Sequence, residues 1–189
     1  MNFEILLSIF LGLGLAASAG FRVFMPLLAL SLLGYFDWIP LSDSFAWLGS
    51  IPAIITLALA TVVEIAAYYI PWVDNLLDTV ALPMETLAGT GVLAACITEL
   101  DPLLSWGLAR IAGGGTAGAI KSANAGTRMI SSVKTVGLAN PVVSTVETGF
   151  PLSLIVLAIF FPVLALLLVL SILYFLYRVM RKFRTKKQN

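Results

Sequence analysis

Two arginines, Arg22 and Arg128, and three acids, Glu64, Asp74 and Asp78, lie within or beside apolar stretches. A charge in such surroundings is costly to bury and is by default a functional candidate. An arginine near the middle of a membrane helix is disfavoured by about 2.5–3.5 kcal/mol on insertion scales unless it is paired, snorkels or faces water. Arg22 has apolar neighbours on both sides, and the carboxylates of Glu64, Asp74 and Asp78 have the chemistry to accept its guanidinium fork. Each arginine stands two residues after a glycine, in Ala17-Ser18-Ala19-Gly20-Phe21-Arg22 and in Ala123-Asn124-Ala125-Gly126-Thr127-Arg128. A second pair, Asp74-Asn75-Leu76-Leu77-Asp78-Thr79-Val80 and Asn140-Pro141-Val142-Val143-Ser144-Thr145-Val146, aligns without gaps. The arginine element comes first and the polar i, i+4 element second in both halves, which points to a degenerate internal repeat. In the second half Asn140 stands for Asp74 and Ser144 for Asp78. Neutral side chains cannot cancel a charge, so a matched ion pair is expected around Arg22, while Arg128 keeps its charge for a substrate anion or for Glu147. The alternative is that the charges fix helix register and nothing more.

Catalytic chemistry finds little support. The chain has no histidine, which removes the usual general base and the commonest transition-metal ligand. It has no Gly-x-Ser-x-Gly elbow and no Gly-x-x-x-x-Gly-Lys-Ser/Thr loop, so serine hydrolysis and nucleotide-driven transport by this chain alone are not expected. Asp74 and Asp78 share one short helix, whereas a membrane aspartyl protease needs its two aspartates on facing helices. Glu64, Asp74 and Asp78 are oxygen ligands of the kind hard cations take, but their spacing defines no coordination geometry. No enzyme activity, cofactor or resident metal is expected. The single cysteine, Cys96, lies in an apolar run and reads as packing.

The elements that must position these residues are helical. With 60% hydrophobic and 11% charged residues and a mean hydropathy of +1.02, the chain is far from the soluble average of about 25% charged. The expected fold is all-α: one polytopic transmembrane bundle over residues 1–189, with roughly four to six membrane segments at about 20 residues each. Its repeat halves fall at about 1–98 and 101–177, followed by a basic tail, 178–189. The first apolar region, Phe3 to Leu33, is too long for one crossing and should break at Ser18 to Gly20. Trp38 and Trp47 mark an interfacial connection, and Ser50 should cap a helix running to Tyr69. A short amphipathic helix, Trp72 to Leu82, should precede a separate one from Pro83 to Ile97, with Glu85 near its start. Residues 103–135 combine Gly113, Gly114, Gly115 and Gly118 with Arg110, Lys121, Arg128 and Lys134, which places them inside the bundle or along an interface. Residues 137–148 read as a connection with a helical piece after Pro141, and the last helix as Pro151 to Tyr177. The extra helix 51–69 lies between the arginine and polar elements of the first half, and an odd number of crossings there would invert one half relative to the other.

Six of the eleven basic groups, Arg178, Arg181, Lys182, Arg184, Lys186 and Lys187, follow the last apolar helix. That bias predicts a cytoplasmic C-terminus and contact with anionic headgroups rather than with nucleic acid. The opening Met1-Asn2-Phe3-Glu4 lacks a basic residue, so the first apolar stretch reads as an uncleaved membrane segment rather than a signal peptide.

Gly20-Phe21-Arg22-Val23-Phe24-Met25-Pro26-Leu27-Leu28, Ile70-Pro71-Trp72-Val73-Asp74 with Asp78, and Gly137-Leu138-Ala139-Asn140-Pro141-Val142-Val143-Ser144 together resemble a family of small bacterial integral membrane proteins known only as a domain of unknown function. The resemblance implies a bacterial inner-membrane protein and supplies no activity or functional residue. Gly/Pro-interrupted helices at corresponding positions of two halves point to a midplane site. The expected function is therefore a permease or channel for a small solute or ion, using Arg22, Arg128, Asp74, Asp78, Asn140, Ser144 and Glu64. The alternative is a non-transporting membrane factor that organises lipid or another membrane protein. The expected partners are membrane lipid and the solute, with a homo-oligomer left open.

Overall fold

The computed structural model describes the backbone of residues 3–135 and 140–186, with the side chains of residues 127–144 and 182–186 and of Glu4, Pro71, Trp72, Asp74, Asn75 and Met180 outside the description. Every regular element among the described residues is helical. The order is α1 (Phe3–Ala19), α2 (Phe24–Tyr35), a 3-10 turn (Asp43–Gly49), α3 (Ile51–Tyr68), α4 (Pro71–Cys96), α5 (Pro102–Leu108), a π segment (Ala109–Gly114), α6 (Gly115–Thr135), α7 (Asn140–Phe160) and α8 (Pro162–Lys186). The stretches Ile51–Tyr68, Leu76–Cys96 and Pro162–Val179 are long and apolar enough to cross a membrane, while Ile5–Ala19, Phe24–Tyr35 and Thr145–Phe160 are shorter apolar helices. Outward-facing Ile55, Leu59, Val62 and Val63 on α3, and Leu164, Leu167 and Leu170 on α8, are exposed. That arrangement suits acyl chains, where an exposed aliphatic face costs nothing.

The bundle closes around α1, which packs on α2, α4, α6, α7 and α8. Small residues allow this. A Cβ placed on Gly12 would sit 2.7 Å from Leu93 Cδ1, and one on Gly14 would sit 2.6 Å from Ala158 Cβ, so backbones meet where side chains are missing. The same device joins α4 to the π segment. A Cβ on Gly113 would lie 2.5 Å from the Gly89 carbonyl oxygen, whereas one on Gly115 would meet nothing within 4 Å. Gly113→Ala should therefore destabilise the bundle by about 1–3 kcal/mol through overpacking against rigid backbone. Gly115→Ala should gain about 0.4–1 kcal/mol from reduced freedom of the unfolded chain. Thermal unfolding in detergent separates them, and equal shifts in Tm would mean the close crossing is not under pressure.

The expected break in the first apolar region is present, between Ala19 and Phe24. Ser50 caps α3 as expected, its hydroxyl accepting from the Ala53 amide at 3.3 Å. Where α2 ends, the Asp37 amide bonds the Gly34 carbonyl and the Trp38 amide bonds that of Leu33, with Asp37 at φ 54°. This is a Schellman closure using an aspartate where glycine is commoner. The following connection docks on α4, Ser42 bonding the Ala95 and Ala94 carbonyls, acceptors that a helix end leaves unused.

Three expected boundaries differ. Pro83 does not start a helix; α4 runs through it. The carbonyl that Pro83 leaves without its helical partner is that of Thr79, and inside a bundle neighbouring protein can satisfy backbone groups freed in this way. Similarly, α7 begins at Asn140 and runs through Pro151, and the chain breaks instead at Phe161, before Pro162. Proline disfavours helical backbone in the residue preceding it. Finally, the basic tail is helical to Lys186 as a continuation of α8.

Candidate functional site

The break between α1 and α2 leaves backbone polar groups inside the bundle, and side chains from two other helices satisfy them. Glu64, buried on α3, accepts from the Val23 amide at 2.7 Å and the Phe24 amide at 3.1 Å, one bond to each carboxylate oxygen. It is an N-cap for α2 supplied in trans, with its negative charge at the positive end of the helix dipole. On the other side, Asn124 of α6 donates to the Gly20 carbonyl at 3.4 Å. Gly20 has to be glycine for this contact, since a Cβ would lie 2.6 Å from the Ala117 carbonyl. Irregular backbone at membrane depth is tolerated only when protein or a water-filled cavity satisfies it.

Arg22 projects from the same break and is fully buried. Its guanidinium carbon stands 3.9 Å from the centroid of the Tyr68 ring, and Nη2 donates to Thr148 Oγ1 of α7 at 3.0 Å. Tyr68 lies one turn after Glu64, so a single face of α3 presents both the carboxylate and the aromatic ring. A desolvated cation over such a ring is worth about 2 kcal/mol or more.

The Tyr68 ring also reaches a second cation, Lys121 of α6, whose Nζ is 5.8 Å from the ring centroid. Lys121 is shared between two carboxylates of α4: its ammonium donates to Asp78 Oδ1 at 3.0 Å and lies 3.2 Å from Glu85 Oε1. Glu85 is fully buried, and beyond this ion-pair contact its oxygens meet no hydrogen-bond donor among the described residues. The side chain of Asp78 is 24% exposed, so the row runs from a partly exposed end at Asp78 to an enclosed one at Glu85. Beside it, an apolar groove of ≈ 360 Å³ between α3 and α4, lined by Val63, Ala67, Leu77 and Met84, touches the charged cluster at Glu64 and Tyr68.

Of the residues expected from sequence, Arg22, Glu64 and Asp78 come together in this cluster. The matched ion pair expected of Arg22 takes another form at Glu64, which gives both oxygens to the backbone amides next to the arginine. Asp74 lies in the first turn of α4, Arg128 within α6, Asn140 at the first position of α7 and Ser144 in its second turn; their side chains lie outside the described residues. The two glycine–arginine segments differ in backbone, Gly20 to Arg22 forming the break and Gly126 to Arg128 lying inside an unbroken helix. The two segments therefore share no common turn. Glu85, Lys121, Tyr68 and Thr148 were not expected as site residues. A continuous α4 was the missing signal for Glu85, because seven residues of helix place it on the same face as Asp78, two turns on.

No group of three or more metal-ligating side chains gathers among the described residues. The pattern of one family, described as a domain of unknown function (DUF4126), matches residues 9–182. No curated protein and no solved structure matches the chain.

Proposed function

We propose, for a chain that belongs to the DUF4126 family and inherits no activity from it, a role as a small non-enzymatic permease that moves a solute or ion past a buried charged cluster. The observation that carries this reading is the row Arg22–Tyr68–Lys121–Glu85, drawn from the α1–α2 break, α3, α6 and α4 and set among apolar helices. Ionisable side chains inside a membrane bundle mark solute or proton pathways far more often than chance placement would. The broken α1–α2 pair adds the discontinuous helix on which transporter sites are built. Arg128 and the α7 residues Asn140 and Ser144 belong to the second half of the proposed site, and membrane lipid is the surrounding partner.

One observation favours the second reading, a non-transporting membrane factor: Glu64 closes the helix break with its own carboxylate, as a purely structural cap would. Flux separates the two. Purified protein in liposomes should move at least one member of a panel of small anions, cations and neutral solutes faster than empty liposomes do. Arg128→Ala should remain folded and lose solute binding or flux by about tenfold or more, the worth of one charge-assisted hydrogen bond. A folded wild-type protein that moves nothing in the panel would favour the scaffold.

The proposed setting is the bacterial inner membrane, with the C-terminal end of α8 in the cytoplasm, because Arg178, Arg181, Lys182 and Arg184 follow its apolar stretch. A reporter fused after Asn189 should be active only in its cytoplasmic form. A periplasmic signal would reverse the orientation.

A further inference from the structure

We infer that Glu85 is a proton-binding site at the middle of the bundle, loaded and emptied through Lys121 and Asp78. Glu85 stands near the centre of the 21-residue apolar stretch Leu76–Cys96, roughly 15 Å from either end at 1.5 Å per residue. That is midplane depth in a hydrocarbon core of about 30 Å. Its carboxyl is fully buried, and Oε2 has no hydrogen-bond donor among the described residues.

The cation close to it among the described residues, Lys121, is 3.2 Å from Oε1 and is also hydrogen-bonded to Asp78 at 3.0 Å. A single ammonium faces two carboxylates. Lys121 balances one of the two carboxylates, so with both ionised the buried site would keep one net negative charge, which a carboxyl group relieves by taking a proton.

Charged and polar groups face Glu85 from several elements. From α6 comes Lys121, and from α3 come Glu64 and Tyr68. Arg22 lies against the Tyr68 ring. The π segment contributes Arg110, which is exposed.

Binding is a plain acid–base step: a carboxylate and a proton from water give a carboxylic acid, with the proton on Oε2, the oxygen remote from Lys121. Asp78 then has the ammonium to itself. Release returns the proton to water and the ammonium to its position between two charges. Asp78 is the partly exposed end of the row, so the exchange opens on its side of the bundle. This site stands on the surroundings of Glu85 alone; its use as the coupling site of a permease rests on the function proposed above.

The test is infrared spectroscopy of purified protein in lipid bilayers, following the C=O stretch of protonated carboxyl groups as pH is varied. Wild type should show a band characteristic of a carboxylic acid in apolar surroundings that fades as pH rises and is absent from Glu85→Gln. Asp78→Asn should lower the midpoint of that titration by about 1 pH unit or more, because the whole charge of Lys121 then favours the anion. If Glu85→Gln does not fold, the Asp78→Asn shift decides, and an unmoved or raised midpoint overturns the proposal. A wild-type protein without the band, or a band that survives in Glu85→Gln, also overturns it. So does a band that answers to Na⁺ or K⁺ at fixed pH, which would make the ligand an alkali cation. Solute flux driven by an imposed pH gradient is the separate measurement: a titrating band with flux indifferent to the gradient keeps the proton site and removes the coupling.

Discussion

Lys121→Met should be among the most damaging single substitutions in the bundle, lowering stability by about 3–5 kcal/mol, the cost of removing one member of a buried ion pair. The side chain is buried and holds Asp78 and Glu85 together. Methionine fills much of the same volume, so the loss isolates the charge from the packing. The control is the same change made in a Glu85→Gln background, read above the midpoint of the Glu85 titration. With one carboxylate neutral there, Lys121→Met should cost clearly less, giving a non-additive double-mutant cycle of the size that residues in one network show, about 0.5–3 kcal/mol. Chemical or thermal unfolding in a mild detergent reads both. Strict additivity would mean that α6 is held to α4 by the close packing of Ala117 on Gly89 and not by the ammonium.

Glu64→Ala should be at least as severe, at about 3–6 kcal/mol, since it removes two charge-assisted hydrogen bonds worth about 1.5–3 kcal/mol each and strands the Val23 and Phe24 amides. Glu64→Gln keeps one carbonyl acceptor and should lose roughly half as much. Hydrogen exchange localises the effect: in the alanine variant those two amides should lose protection while the centre of α1 keeps it. Protection that persists at both positions would show that Glu64 is not what holds the start of α2.

Composition and the long apolar runs were enough to read an all-α membrane bundle, and the interruption at Ser18 to Gly20 was legible because small residues and an arginine occur where a crossing should continue. The internal prolines were not legible. Pro83, Pro151 and Pro162 look alike in sequence, yet two lie inside helices and one follows a break. What decides is whether neighbouring backbone and hydroxyls can take over the freed bonds, which is a property of the packed bundle.

The charged site was half legible for the same reason. Arg22, Glu64 and Asp78 stood out as charges in oil. Glu85 reads from sequence as a residue near a helix start, because dividing α4 at Pro83 moves it from the interior of a long helix to an end. Lys121 lay in a glycine-rich stretch whose period is blurred by the π segment, where an extra residue per turn shifts the faces. Tyr68 and Thr148 carry no sequence signal of their own; only tertiary packing shows that they meet an arginine.

The contact between Arg22 and Thr148 spans 126 positions of the chain, and this has a consequence for biosynthesis. When the first apolar region leaves the ribosome, neither Tyr68 nor Thr148 has been made. A nascent chain of that length carries a bare arginine into a lipid environment at about 2.5–3.5 kcal/mol, with no ring or hydroxyl to receive it. The opening segment is therefore expected to stay at the edge of the membrane, or inside the insertion machinery, until α3 and α7 have followed. Translation arrested before α7 should leave the N-terminal segment accessible to aqueous labelling reagents, and resumption of synthesis should close it off.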